Sequence, residues 1–357
     1  MTTRQRLDLL AGAWPDFFPR RELIRLLKEE LGSVDALDTW IRRDSAKVRA
    51  RAPGLIYHIC AGNLAVSAWT SLAQGLLLGS QNVVKLPGER DDSTARRGIV
   101  RFIKRLPAPL RKLITTHDTL DPEILQRAEA VIAFGSDSTM ASLRAQVRWD
   151  QKFIAHGHAV SLLWIARPDR LTTNRALACA TDVLTYDQLG CLSPQAIYLP
   201  AGANLETLGE ELSQALERHW NARPEKPSRP LATAARIAEA RDVAHALGHR
   251  VWLPPKNHLG WTLIADPEPA FAPSPLHGVI YLRMVEETEL KKALSSVAGR
   301  ISTVGLAGKL SPSLERLFLD LGVTRFCPAG RMQFPPLTWH HEGRSSLQDL
   351  VTWIDWE

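Results

Sequence analysis

The chain has 357 residues, 45% hydrophobic and 23% charged. That composition excludes a disordered chain, and at about 150 residues per domain the length suggests two domains. Four scattered cysteines with no C-x-x-C pair argue against a disulfide framework or zinc knuckle and point to a reducing, cytoplasmic setting. The net charge of +6 favours acidic partners such as nucleotides, coenzyme A, an acyl carrier protein or nucleic acid. No zinc-finger, RNP or helix-turn-helix signature supports the last of these.

The opening MTTRQRLDLLAGAW has no apolar run long enough for a secretory signal. Residues 1–50 read as helical, with amphipathic pieces at 21–31 and 34–43. Residues 52–84 carry no Asp, Glu, Lys or Arg, yet Gly62, Gly79 and polar residues such as Asn63, Ser67 and Gln74 punctuate them. They predict strand 55–59, helix 66–78 and strand 82–86 rather than a membrane span. Then follow helix 93–105, strand 130–134, helix 138–147, strand 160–165 and helix 172–183. This alternation implies a mainly parallel α/β sheet. It resumes at 195–199, 205–217, 251–253, 278–282, 286–294 and 314–321. Between the halves lies a polar, Pro-rich segment, 223–230, and then a helix, 231–247. Trp339, Trp353 and Trp356 read as docking the terminus on the body.

Three stretches carry candidate chemistry. Phe134-Gly135-Ser136-Asp137 joins an apolar strand to a helix, where a glycine lets the backbone approach a ligand and the helix start favours phosphate. Such turns are common, and no G-x-G-x-x-G accompanies this one. Asn63, after one strand, precedes Lys85, at the end of the next, by 22 residues. Its amide suits an oxyanion donor, and the lysine suits a ribose or phosphate; singly, each is more commonly a turn or solvated residue. Third, Tyr186-Asp187-Gln188-Leu189-Gly190-Cys191-Leu192-Ser193-Pro194-Gln195 places a cysteine after a glycine, at a break in the pattern. A thiolate both attacks and leaves a thioester readily, whereas Cys60, Cys179 and Cys327 read as small buried hydrophobes.

In this order these stretches resemble the aldehyde dehydrogenase superfamily, and specifically its acyl-CoA reductase branch, the LuxC-type fatty acyl reductases. The resemblance covers about residues 52–357 and is carried by Asn63, by Gly79-Ser80-Gln81-Asn82-Val83-Val84-Lys85-Leu86-Pro87, by Phe134-Gly135-Ser136 and by Gly190-Cys191. Gly157-His158-Ala159-Val160-Ser161, the cysteine loop through Gln195 and the closing Gly330-Arg331-Met332-Gln333-Phe334-Pro335-Pro336 mark the branch. It implies an aldehyde dehydrogenase-like α/β fold: an N-terminal helical region (1–50), a Rossmann-type cofactor domain (51–187), an α/β catalytic domain (188–329) and a tail packing back (330–357).

The implied activity is reduction of an acyl thioester to an aldehyde through an acyl-Cys191 intermediate. Asn63 and the Cys191 N–H would hold the oxyanion. His158 would move protons, although a lone histidine in an apolar strand is more commonly a core residue. Lys85 would hold the adenosine ribose, and Gly135 and Ser136 the pyrophosphate. The glutamate with which hydrolytic relatives activate water has no counterpart in Phe153-Ile154-Ala155-His156-Gly157-His158, as a reductase requires. The acid of the superfamily's ribose-gripping segment is also missing near Pro273-Ser274-Pro275-Leu276. Gly88 stands where NAD-specific relatives often place an acid, with Arg90 near. That favours NADPH over NADH, against which Glu89 counts. Partners would be acyl-CoA or acyl carrier protein, an acyl-activating enzyme and further copies of the chain. The alternative is an acyl carrier or transferase subunit that uses the same cysteine without a nicotinamide.

Overall fold

A capping box starts α1 (Thr3–Ala13): the Thr2 hydroxyl accepts from the Gln5 amide, and the Gln5 side chain accepts from the Thr2 N–H. α2 (Arg20–Leu31) ends at Gly32, whose φ of 76° is the left-handed cap that glycine adopts without strain. No helix forms over 34–43. Those residues turn into a hairpin of β1 (Ile41–Arg43) and β2 (Ala46–Arg51), because Val48 and Ala50 point inward while charged neighbours alternate outward, a period of two.

The next elements are β3 (Leu55–Ile59), α3 (Ala65–Leu78), β4 (Gln81–Lys85), α4 (Thr94–Arg105), α5 (Ala108–Arg111), β5 (Ile114–His117), α6 (Pro122–Arg127), β6 (Ala130–Phe134), α7 (Asp137–Arg144) and β7 (Lys152–His156). The computed structural model describes residues 1–88 and 94–357. Five parallel strands form one sheet in the order β5-β4-β3-β6-β7. After β3 the chain winds outward through β4 and β5, then returns to place β6 on the other side of β3. The carboxyl ends of β3 and β6 therefore flank a topological switch point, where open α/β sheets bind ligands. The uncharged run is β3, α3 and β4. Among the described residues no helix is long and apolar enough to cross a membrane.

The second sheet follows from β8 (Val160–Ile165), α8 (Thr173–Leu184), β9 (Pro194–Pro200), α9 (Leu205–Ala222), α10 (Leu231–Ala246), β10 (Arg250–Trp252), β11 (Thr262–Ala265), β12 (Val279–Val285), α11 (Leu290–Ala293), β13 (Ile301–Ala307), α12 (Pro312–Asp320) and β14 (Arg325–Pro328). Its order is β10-β11-β12-β9-β8-β13-β14, parallel except for the β10–β11 pair. Last comes β15 (Thr352–Trp356), antiparallel on β2. Trp356 meets Trp40 edge-on at 5.4 Å, and the Arg43 guanidinium lies 4.8 Å from the Trp353 ring centre.

The chain thus forms two units, residues 1–158 with 336–357, and residues 159–335. The division falls at 158/159 rather than after 187, because β8 pairs with β9 and β13, and α8 shares their core. Likewise residues 1–50 share the core of the first unit, with Leu7, Leu10, Leu23 and Leu27 packed together with Leu72 and Leu76 of α3.

Candidate active site

The expected cofactor residues of the first unit gather at one sheet edge. β3 ends at Ile59 and leads through Asn63, exposed, into α3. Lys85 closes β4 beside Ile59 and accepts the Cys60 N–H at its carbonyl, 3.2 Å away. β6 gives way to Gly135 and to Ser136, the N-cap of α7, whose hydroxyl accepts from the Thr139 amide at 3.2 Å. A Cβ at Gly135 would meet Thr139 and Met140 at 3.4 Å, ordinary contact, and its φ is not positive. Neither crowding nor backbone geometry therefore demands glycine here. Arg90 lies outside the described residues. His158 follows β7, exposed rather than in a strand core, and its N–H donates to Asp137 Oδ1 at 2.8 Å.

Beneath this edge lies a network that periodicity cannot find. His58 of β3 is fully buried, with Nδ1 2.6 Å from Ser71 Oγ and Nε2 3.0 Å from Asn82 Oδ1. Burial pushes its pKa down to about 4 despite the Asn82 bond, so the ring is neutral at pH 7. Asn82 in turn donates to the Ser80 carbonyl at 2.7 Å. Three side chains thereby lock β3 to α3 and β4.

Next to the Gly-Ser turn, Phe134, His156 and His341 stack, with centroids 4.6 and 4.2 Å apart, and Trp339 tilts against His341 at 4.7 Å. His156 Nδ1 lies 3.1 Å from Glu342 Oε2. Burial and the neighbouring His156 push His341 down to about 3. His156, His341 and Glu342 bring ligand atoms within 4.8 Å of one another. The two rings are only 17° from parallel, so their in-plane lone pairs do not converge. To share an ion, one ring would have to leave the stack.

In the second unit, Cys191 is exposed, whereas Cys60, Cys179 and Cys327 are buried. Burial pushes those three thiols up, Cys60 and Cys179 to about 12 and Cys327 to about 11. Cys191 sits at the amino-terminal edge of the sheet, between α8 and β9, in a loop pinned by buried side chains. Ser161 Oγ donates to the Cys191 carbonyl at 2.7 Å, and Gln188 Nε2 to the Pro194 carbonyl at 2.8 Å. Gln333 of the closing motif donates to Ser193 Oγ at 3.0 Å, while Asp182 accepts from the Gly330 and Met332 amides at 2.6 and 3.0 Å. Burial pushes Asp182 up to about 7 against those amides and Arg325. The Pro-rich segment is more than a connector: Arg229 forks onto Asp187 with two 2.8 Å bonds.

The acyl-CoA reductase (LuxC) family model matches residues 2–353. The chain belongs to this family. As a LuxC-family member it is an aldehyde-forming acyl reductase. It is 26% identical over 352 residues to the long-chain acyl-protein thioester reductase of Aliivibrio fischeri, covering 94% of this chain and 70% of that one. To the Photorhabdus luminescens protein of the same name it is 27% identical over 345 residues, with the same coverage.

Among solved structures, this LuxC-family chain resembles NADP-dependent glyceraldehyde-3-phosphate dehydrogenase from Bacillus halodurans, complexed with NADP. The TM-score is 0.72 at 14% identity, over 100% of this chain and 87% of that one. Lactaldehyde dehydrogenase from Escherichia coli gives 0.66 at 16% identity, over 100% and 87%. The fold is that of the aldehyde dehydrogenases.

Several residues that hold the loop of the LuxC-family cysteine escaped sequence reasoning: Ser161, Asp182, Arg229 and Gln333. Ser161 and Gln333 lie inside motifs singled out above. Arg229 was hidden in a segment whose prolines read only as a connection.

Proposed function

We propose that the protein reduces a long-chain acyl thioester, delivered on coenzyme A or an acyl carrier protein, to an aldehyde through an acyl-Cys191 intermediate. The carrying observation is that Cys191 is the exposed cysteine, on a loop pinned from Ser161 and Gln333, while burial protonates the other three. Relatives named acyl-protein thioester reductases support the substrate class. The Cys191 sulfur attacks the acyl carbonyl, and the carrier thiol leaves. The Asn63 amide and the Cys191 N–H are assigned to the oxyanion, a donor of this kind being worth about 3–4 kcal/mol. No carboxylate stands in the 153–158 stretch to activate water against the acyl-enzyme. His158, exposed, is assigned proton transfer at aldehyde release, which restores the thiol.

The switch-point edge, with Lys85 and the uncrowded Gly135-Ser136 turn, fits a nicotinamide dinucleotide. Lys85 would hold the adenosine ribose, and Gly135 and Ser136 the pyrophosphate. When bound in reduced form the dinucleotide supplies the hydride. Gly88 in place of an acid, with Arg90 near it in the sequence, favours NADPH. The structural relative complexed with NADP supports a nicotinamide cofactor.

Incubation with acyl-CoA in the absence of any nucleotide tests the covalent step. Intact-mass analysis is expected to show one acyl adduct, mapping to Cys191. An adduct on another residue contradicts the assignment.

A further inference from the structure

Tyr186, Asp187 and Gln188 all occupy the left-handed region, with φ of 55°, 56° and 62°. None is glycine or asparagine, so each pays a steric cost that the surroundings must offset. The facing loop does the same, with Leu276 at 68° and His277 at 56°. Two strained loops are stitched together immediately before Cys191.

The stitches are specific. Besides the Arg229 fork, His277 Nδ1 lies 2.6 Å from Asp187 Oδ2. The Asp187 and Arg229 side chains are each only 11% exposed. Burial pushes the Asp187 carboxyl up, but His277 and Arg229 outweigh it and the net shift is downward. Gln188, fully buried, donates to the Pro194 and Val279 carbonyls at 2.8 and 3.1 Å and accepts from the Gly278 amide at 2.9 Å. Its backbone and side chain therefore tie the two ends of the segment 189–193 that carries Cys191. A glycine at 187 would reach the same φ without a partner, but would hold no single conformation there. A gripped carboxylate does.

We propose that Asp187, held by Arg229 and His277, is the positioning residue of the nucleophile loop. It fixes Tyr186–Gln188 in the left-handed turn, so that Gln188 closes the loop and Cys191 is presented for attack. This rests on Cys191 being the acyl acceptor and adds what aims it.

Asp187→Asn is the discriminating variant in the full chain. Asparagine tolerates the left-handed region well and has nearly the same volume, so the substitution removes the charge and spares the backbone preference. The measurements are kcat and KM for acyl-CoA, the thermal midpoint, and the rate of Cys191 alkylation by iodoacetamide as a function of pH, mapped by peptide mass spectrometry. Expected is a fall of about ten-fold or more in both kcat and Cys191 alkylation, as misplacement of a reacting group produces, with KM and the thermal midpoint close to wild type. Arg229→Lys, which keeps the charge but loses the fork, should fall between the two. If Asp187→Asn alkylates Cys191 and turns over within about two-fold of wild type, the proposal is overturned. Loss of thermal stability without loss of Cys191 reactivity overturns it equally. Should the Asn variant not fold, wild-type Cys191 reactivity in Arg229→Lys overturns it instead. If the reactive thiol of the wild-type chain maps elsewhere than Cys191, the acyl-acceptor assignment itself fails, and the positioning role with it.

Discussion

At Asn63 the relevant chemistry is a single neutral amide. As the proposed oxyanion donor, Asn63 would act on the transition state more than on bound substrate, so Asn63→Ala is expected to lower kcat by about 10²–10³ with little change in KM. Steady-state kinetics on an acyl-CoA measure this, and an unchanged kcat would remove Asn63 from the site. His58 acts on stability instead. Its folded pKa of about 4 lies below the ordinary 6.5. As pH falls through 6.5 the unfolded chain therefore takes up a proton that the folded chain refuses, until about 4. The group costs nothing above that window and up to about 3 kcal/mol at its lower end. Urea unfolding of wild type and His58→Gln, above and inside the window, should show the wild type losing more stability on acidification. A pH-independent difference between the two would contradict the assignment.

At the scale of elements, α3 holds a telling exception. A glycine inside a helix ordinarily costs about 1 kcal/mol relative to alanine, so Gly75→Ala should stabilise. Here the added Cβ would fall 1.9 Å from Asn82 Oδ1 and 3.3 Å from His58 Nε2. The sign reverses: Gly75→Ala is expected to destabilise by about 2 kcal/mol, as overpacking does, read as a lower urea midpoint. A higher midpoint would mean that the His58–Asn82 pair is not held as described. This helix also marks what sequence reasoning can and cannot reach. Period and punctuation located β3, α3, β4, β6 and β8, because each is an apolar run bounded by glycine or by helix-starting residues. They missed β5, β7, β11, β13, β14 and β15; β11 is only four residues long, and Ser302, Thr303 and Gly305 interrupt the apolar run of β13. They also misread 34–43, where Ile41 and the arginines fit both periods. Candidate residues that belong to a motif, such as Asn63 and Cys191, stand out in the sequence. Those that meet only in space, such as Arg229 with Asp187 or His156 with Glu342, left no local signal.

At the scale of the molecule, the first unit is discontinuous, and its closing segment is held by a few contacts with distant sequence. Glu30, buried in α2, accepts the amides of Ser346 at 2.9 Å, Leu347, and Gln348 at 3.0 Å. Lys152 donates to the Asp349 and Val351 carbonyls. Glu30→Gln exchanges one accepting oxygen for a donor against those amides, at a cost of about 1–3 kcal/mol. Hydrogen exchange should then quicken at Ser346–Gln348 before it does elsewhere. Unchanged protection there would show that the Glu30 carboxylate does not hold the segment. The same segment supplies His341 to the stack beside the Gly135-Ser136 turn and Glu342 to His156, so the unit's closure and its switch-point edge share residues. The central claim is chemical and is tested most directly by following NADPH oxidation with a panel of acyl-CoAs, for wild type beside Cys191→Ala and with NADH as control. Turnover in wild type that Cys191→Ala abolishes is the predicted result. Acylation of Cys191 without any NADPH or NADH oxidation, or full activity in the alanine variant, would contradict it.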